Sequence, residues 1–464
     1  MYVVNQVKSK MSPYQVDLVD DMVNDLSDTS RVYLKNILSR SYVIGVQHLM
    51  ETELCLFDGL LCAGAIPEQI RFAGKLYSDY FPAIQTLRGK GINIHTINHT
   101  VKPGEFSIAI KQTIRDMWQY ALADIEDANN IDNIIILDEG GRALEEIPRY
   151  LKNKYNVIVI EHTRGGLYNS ASQHMNIPIL KPALSAVKKI LESPKIVSKV
   201  VKTVLQKISK LPYSQYKVYG VVGLGNIGAA LSRELVNNGY EVIAFDTESE
   251  KCKSLKDKSS VELASTLDEL IHNSEVIIGT TGKDISVDFN FKEHLCHDIF
   301  LISASSEDKE FKSLLKSVDG NKPLQNDIKL KTYNGNTTTI LSGGFPVNFD
   351  QASESVPIKD ICITRALMLG SIFQACFLLR YLNLDDVTSN LSLATDASLQ
   401  YYLAQKYLAY DHGDDFNNEV RQIFSSLDCI KSFSEGMSLD CDEFKLLLAL
   451  KNDFSTSAEK SRAG

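Results

Sequence analysis

The sequence lacks the signatures that would place it outside the cell, across a membrane or on nucleic acid. Its eight cysteines, at positions 55, 62, 252, 296, 362, 376, 429 and 441, contain no C-x-x-C pair. Such scattered use in a large chain predicts reduced thiols in a cytoplasmic protein. The opening MYVVNQVKSKMSPYQ has no apolar core and no small-residue cleavage site, so no signal peptide is expected. No apolar run reaches the ~20 residues of a membrane span. The longest, Ala366 to Leu379, contains Ser371 and Gln374 between Arg365 and Arg380, and reads as a buried helix. Basic residues are not in excess: 49 Lys and Arg stand against 58 Asp and Glu, a net charge of −9. That balance argues against nucleic acid or an anionic membrane as main partner. Neither a repeat nor a low-complexity tract is present, and the length, 464 residues, suits two to four domains at roughly 100–200 residues each.

What is present is an alternation of helical and strand patterns. Helix-like segments run near Val16–Ser27, Leu49–Cys62 and Ser107–Asp124, and short β-branched runs cover Ile134–Leu137 and Val157–Ile160. This alternation predicts a parallel sheet covered by helices on both faces, with ligands at the carboxyl ends of the strands. Asp138 and Glu139, and Glu161 and His162, fall at two such ends. A lysine-rich helical stretch, Lys188 to Lys210, reads as a connector between domains. His95 and His99 share a spacing that presents two metal ligands together only on a helix, whereas Asn93–His99 is strand- and loop-like, so no metal site is expected.

From Lys217 a second α/β unit begins: KVYGVV as strand, GLGNIG as turn, Ile227 to Asn238 as helix ended by Gly239, and EVIAF as the next strand. Ser265 and Asp268 form a capping-box pattern, and Tyr333-Asn334-Gly335-Asn336 marks a hairpin turn. The turn Gly223-Leu-Gly225-Asn226-Ile227-Gly228 lies between strand and helix, with Asp246 closing the following strand. The first glycine permits the tight turn, the second lets backbone approach a pyrophosphate, and the third allows helix and strand to pack closely. The helix N-terminus offers unpaired N–H groups to the phosphates. Asp246 would accept from a ribose 2′-hydroxyl, and with Thr247 and Glu248 following and no arginine, the cofactor is expected to be NAD rather than NADP.

Several segments taken in order resemble the S-adenosylhomocysteine hydrolase (adenosylhomocysteinase) family: IGVQHLMETELCLFDGLLCAGA (44–65), similar to a histidine-bearing helix, INIHTINHT (92–100), ILDEGG (136–141), IEHTRGG (160–166), GTTGKD (279–284) and GGFPVNF (343–349). The resemblance covers roughly residues 40 to 380. It implies two doubly wound Rossmann-like α/β domains: a substrate-type domain (1–187 and 350–389), an inserted NAD-binding domain (188–349), and here a helical C-terminal extension (390–464). It implies catalytic positions at Lys189, His48, Glu139 and His162. Cofactor contacts are implied at Thr163, Thr280, Thr281, Gly282 and Asn348, besides the glycine turn and Asp246. The family oxidises a ribose 3′-hydroxyl with bound NAD, eliminates a thiol, adds water and re-reduces. Its members form tetramers through the NAD domain and tail; with this tail changed, a dimeric homo-oligomer is equally consistent.

The departures from the family have a direction. Glu139 stands for an aspartate, His162 for a glutamate, Ser193 for the aspartate four residues past the lysine, and Leu184 for an asparagine. Ser303–Ser306 and Ser353–Val356 lose histidines. Residues around the cofactor persist, whereas those around the substrate are replaced, which changes or abolishes the substrate. The expected function is therefore reversible NAD-dependent oxidation of a secondary alcohol on a nucleoside-like small molecule. The alternative is a catalytically inactive NAD-binding regulatory or partner protein.

Overall fold

The computed structural model describes residues 17–98, 100–167, 176–209, 218–256, 259–287, 297–318, 325–349, 352–381 and 392–409. His99, His294, Cys296, Cys429 and Cys441, and most of the C-terminal extension, lie outside them. In chain order the strands are β1 (Ser41–Gln47), β2 (Ile70–Gly74), β3 (Asn93–His95), β4 (Asn133–Asp138), β5 (Asn156–Glu161) and β6 (Ile179–Leu180), followed by β7 (Val218–Val222), β8 (Glu241–Phe245), β9 (Glu262–Leu263), β10 (Val276–Gly279), β11 (Ile299–Ser303), β12 (Ile328–Lys331), β13 (Thr337–Ile340) and β14 (Ser392–Leu393). They form two seven-stranded sheets, ordered β14-β6-β5-β4-β1-β2-β3 and β12-β13-β11-β10-β7-β8-β9. All pairs are parallel except the β12–β13 hairpin, whose turn holds Gly335 at φ +86°. This is the expected α/β architecture of two Rossmann-like lobes.

The central strands are buried along their whole length, as parallel strands covered on both faces must be: β1 and β4 expose nothing. One face of the first sheet is covered by the helix Phe106–Asp127. Its buried residues Phe106, Ala109, Ile110, Thr113, Ile114, Met117, Trp118 and Ala121 recur at helical spacing. The other face is covered by the helix Ile358–Tyr381, which returns from the second lobe. By length and composition that helix could cross a membrane, yet its most apolar window is wholly buried in the lobe. The chain passes between lobes through Lys188–Glu192, a π-helical turn, and the helix Ser193–Ile208, which packs on the helix Asn226–Asn237.

Three expectations are corrected. The segment 44–65 is not a histidine-bearing helix: β1 runs to Gln47, His48 sits in the following turn, and the helix starts at Glu53. Both pieces are apolar, so periodicity does not separate them. The capping box lies one residue later: Thr266 Oγ1 accepts from Glu269 N at 3.1 Å, and Glu269 Oε2 accepts from Ser265 N at 2.7 Å. The described part of the C-terminal segment also belongs to the first lobe, since β14 extends its sheet beside β6 and the helix Ala397–Ala409 packs on Ile358–Tyr381.

Candidate active site

The carboxyl ends of both sheets face a cleft of about 620 Å³ between the lobes. Lys189, His48, Glu139 and His162 all line it, with Thr163, Gly225, Asn226, Ile227, Thr280, Thr281, Gly282 and Asn348. Gly223, Gly228 and Asp246 do not line it; they shape the loop beside it. Gly223 has φ +92°, a conformation that favours glycine. A Cβ on Gly228 would lie 1.8 Å from Gly223 O, so the helix can approach the strand only without one. At Gly225 nothing lies within 4 Å of where a Cβ would stand, which leaves its backbone open to a ligand. The helix Asn226–Asn237 has no side-chain cap, leaving its first N–H groups to an anion. Asp246 Oδ2 accepts from Leu224 N at 2.6 Å, which ties the carboxylate at the end of β8 to the glycine turn. The loop thus has the open backbone and donor set that a dinucleotide pyrophosphate needs.

The turn after β10 completes this wall. Thr280 Oγ1 donates to Gly223 O at 2.7 Å, while Gly282 N and Thr281 Oγ1 donate to the buried Glu310 carboxyl at 2.5 and 2.9 Å. Residues 342–344 follow β13 with three successive positive φ values, and the segment then delivers Asn348 and Phe349 to the cleft. There the Phe349 ring stacks on His48 at 4.4 Å between centroids.

On the first lobe's wall the acidic residues divide the work. Asp138 accepts from the backbone of Glu139, Ala143 and Leu144, and Glu161 accepts from Gly140 N, Gly141 N, Thr163 N and Thr163 Oγ1. Both carboxylates hold the turns in shape. Glu139 is different. Its Oε1 lies 2.6 Å from His48 Nε2 and 3.0 Å from Lys75 Nζ, while its Oε2, buried, has no hydrogen-bond partner among the described residues. His162 Nε2 lies 3.7 Å from Oε2, beyond hydrogen-bond range, and His162 Nδ1 is also without a partner among the described residues.

Burial raises a carboxyl, yet the Lys75 ammonium and the hydrogen bond from His48 outweigh it and hold Glu139 well below the usual carboxylate range. Burial pushes His48 down despite Glu139, and pushes His162 down with help from Lys188. A neutral His48 facing a carboxylate must carry its proton on Nε2. Its Nδ1 then accepts from Ser78 Oγ at 2.5 Å.

Among the lysines it is Lys188, rather than Lys189, that is engaged. Lys188 Nζ lies 3.2 Å from Glu192, whose side chain is 6% exposed, and both line the cleft. Lys189 lines it as an exposed residue, and Ser193 Oγ donates to Lys188 O at 3.1 Å. The lysine–carboxylate pair at four-residue spacing is thus present one residue earlier than the resemblance implied, with Glu192 in the acidic role. Lys75 and Ser78 have no motif that marks them, and Phe349, though it ends the GGFPVNF segment, carries no sign of its ring contact; only the ends of β2 and of the 343–349 segment bring them to His48. His95, the described half of the His95/His99 pair, is 2.6 Å from buried Arg71 and is pushed down to about 4 by burial and that guanidinium.

Residues 218–311 match the family model described as the NAD binding domain of 6-phosphogluconate dehydrogenase. An uncharacterized protein of Mycobacterium tuberculosis is 28% identical over 336 residues, 72% of this chain and 64% of that protein. The chain thus matches less than two thirds of the length of that relative. The mitochondrial 3-hydroxyisobutyrate dehydrogenase of Drosophila melanogaster is 31% identical over 107 residues, 22% of this chain and 33% of that one. Among solved structures, a dipicolinate synthase chain from Bacillus halodurans is similar at 13% identity and a TM-score of 0.35, over 73% of this chain and 98% of that one. The chain is a two-lobed α/β protein with a dehydrogenase-like, NAD-binding Rossmann domain, and its cofactor is NAD.

Proposed function

We propose that the cleft oxidises and re-reduces a secondary alcohol of the ribose 3′-hydroxyl type on a nucleoside-like substrate, in the manner of an adenosylhomocysteinase with a rebuilt substrate pocket. The observation that carries this reading is Glu139, which lines the same cleft as the glycine turn and whose buried Oε2 has no hydrogen-bond partner among the described residues. When bound, NAD supplies the acceptor for the hydride leaving the carbinol carbon. Glu139 Oε2 takes the hydroxyl proton, so that C–H and O–H are both lost and a carbonyl forms. The 3.7 Å gap to His162 Nε2 lets one hydroxyl reach both groups at hydrogen-bond distance. Lys188, held by Glu192, puts a positive charge on the same wall.

The test is to load the protein with NAD and add ribonucleosides, thioether nucleosides and other secondary alcohols while following reduced-nicotinamide absorbance. Reduction by at least one of them, lost in Glu139→Gln, is expected. Full NAD occupancy with no reduction by any candidate would overturn the reading and favour a non-catalytic NAD-binding regulator.

A further inference from the structure

A buried cation lies behind the cleft wall with no part yet in the chemistry. Lys75 follows directly on β2; its side chain is 2% exposed, and it is not among the residues that line the cleft. Its Nζ lies 3.0 Å from Glu139 Oε1, the oxygen that also receives His48 Nε2 at 2.6 Å. Its carbonyl accepts from Ser78 N at 2.7 Å and lies 3.0 Å from Ser78 Oγ, the hydroxyl that reaches His48 Nδ1 at 2.5 Å. Lys75 therefore grips the Glu139–His48 pair at both ends, by its ammonium on the carboxylate and by its backbone on the serine.

Two donors on one oxygen leave the other with nothing to bond. An ammonium taken out of water is costly unless a fixed counter-charge receives it, and an apolar side chain would fill the same space without that cost. The arrangement makes sense where one carboxylate oxygen must be occupied and its twin kept free. We infer that Lys75 is a positioning residue: its ammonium, with His48, claims one oxygen of Glu139 and so turns the other toward a hydroxyl bound in the cleft. The kinetic part of this inference rests on the function proposed above; the electrostatic part does not.

Removing the Lys75 charge takes a like charge away from His48 and an opposite charge from Glu139. Both groups then titrate at higher pH. The other charged and titratable groups around the pair are His162, Tyr77, Glu53 and Arg365 of the first lobe and, through Tyr77, Glu307 of the second; His162 and Glu307 also feel the Lys75 charge and titrate higher without it. The test uses full-length protein with isotope-labelled histidine, its His48 imidazole signals assigned with a His48→Gln variant. In the wild type, His48 is expected to be the neutral Nε2–H tautomer at neutral pH. Lys75→Met and Lys75→Gln are expected to raise the His48 titration by about one pH unit, and Lys75→Arg to restore it.

With an alcohol that reduces NAD in hand, the acid limb of the rate profile moves up in Lys75→Met while NAD affinity stays the same. A role confined to folding would leave titration and profile in place in any variant that folds. Either result overturns the inference: a folded Met or Gln variant with an unmoved His48, or a wild-type His48 that is an imidazolium or an Nδ1–H tautomer. The wild-type measurement decides even if both variants fail to fold. Should no alcohol reduce NAD, the proposed function fails while the spectra still judge Lys75.

Discussion

Arg142 of the first lobe and Glu307 of the second form a two-pronged ion pair between the lobes, with Nε donating to Oε1 at 3.0 Å and a second guanidinium nitrogen on Oε2. The side chains are 13% and 3% exposed. Burial alone would raise Glu307, but Arg142 and then Lys309 outweigh it and hold the carboxyl down. Glu307 sits at φ +66°, and Gln325, at φ +70°, donates across the same seam to Tyr77 O. Asp308 accepts from Phe106 N at 3.4 Å between them. Strained backbone in the second lobe is thus retained where its side chains hold the first.

Removing one partner should therefore cost more than a surface ion pair would. Arg142→Ala leaves Glu307 buried with Lys309, 3.3 Å away, and the more remote Lys75 as counter-charges. A loss of about 3 kcal/mol in unfolding free energy is expected, the lower end of the range for a broken buried pair. Urea denaturation measures it. A loss under ~1 kcal/mol would mean the pair is effectively solvated.

The cofactor loop yields a second prediction. Gly228→Ala places a methyl group 1.8 Å from Gly223 O, so strand and helix must separate and the phosphate-binding turn is lost. NAD binding, followed by calorimetry, should fall below detection while the first lobe keeps its stability. Asp246→Ala removes the acceptor offered to the ribose and the tie to Leu224 N; a drop of roughly 10- to 100-fold in NAD affinity is expected for a charge-assisted hydrogen bond.

Why one part of this site can be read from sequence and another cannot is physical. The glycine turn is legible because each glycine answers a local demand: a positive φ at Gly223 and an approach with no room for a Cβ at Gly228. Glu139 and His162 are legible because they end strands, and parallel sheets bind ligands there. The register of the acidic cap is ambiguous by one residue because Ser265 and Thr266 are both good capping residues. Lys75, the stacking of Phe349 on His48 and the Arg142–Glu307 pair are invisible for a different reason. Their partners are far away in sequence, 165 residues in the last case; the pairing of β2, β1 and β4 brings Lys75 to Glu139 and His48, and only the docking of the lobes joins Arg142 to Glu307.

The two neighbouring lysines of the connector can be told apart. Lys188 is paired with buried Glu192, whereas Lys189 is exposed at the rim. With an alcohol that reduces NAD, Lys188→Ala should lower the rate by about 100-fold or more, the range of a group acting on the reacting atoms. The loss in Lys189→Ala should be the smaller of the two. The reverse order would move the engaged lysine back to the position implied by the family resemblance.

Glu310 supplies a pH dependence that belongs to the second lobe. Its carboxyl is fully buried beneath the turn lining the cleft, and burial pushes it from 4.5 up to about 7, against the hydrogen bonds from Gly282 N and Thr281 Oγ1. A carboxyl that titrates higher when folded binds its proton more tightly in the native state. Its contribution to stability is therefore complete below pH 4.5 and is lost as pH rises through 7. The loss is on the order of 3 kcal/mol, at about 1.4 kcal/mol for every tenfold change in proton affinity. Glu310→Gln cannot ionise and keeps one acceptor for Gly282 N and one donor for Thr281 Oγ1. Wild type minus variant, measured as unfolding free energy across that window, should fall steadily with rising pH. A difference that is flat or rising would show that the carboxylate is the native form, held by the turn it closes.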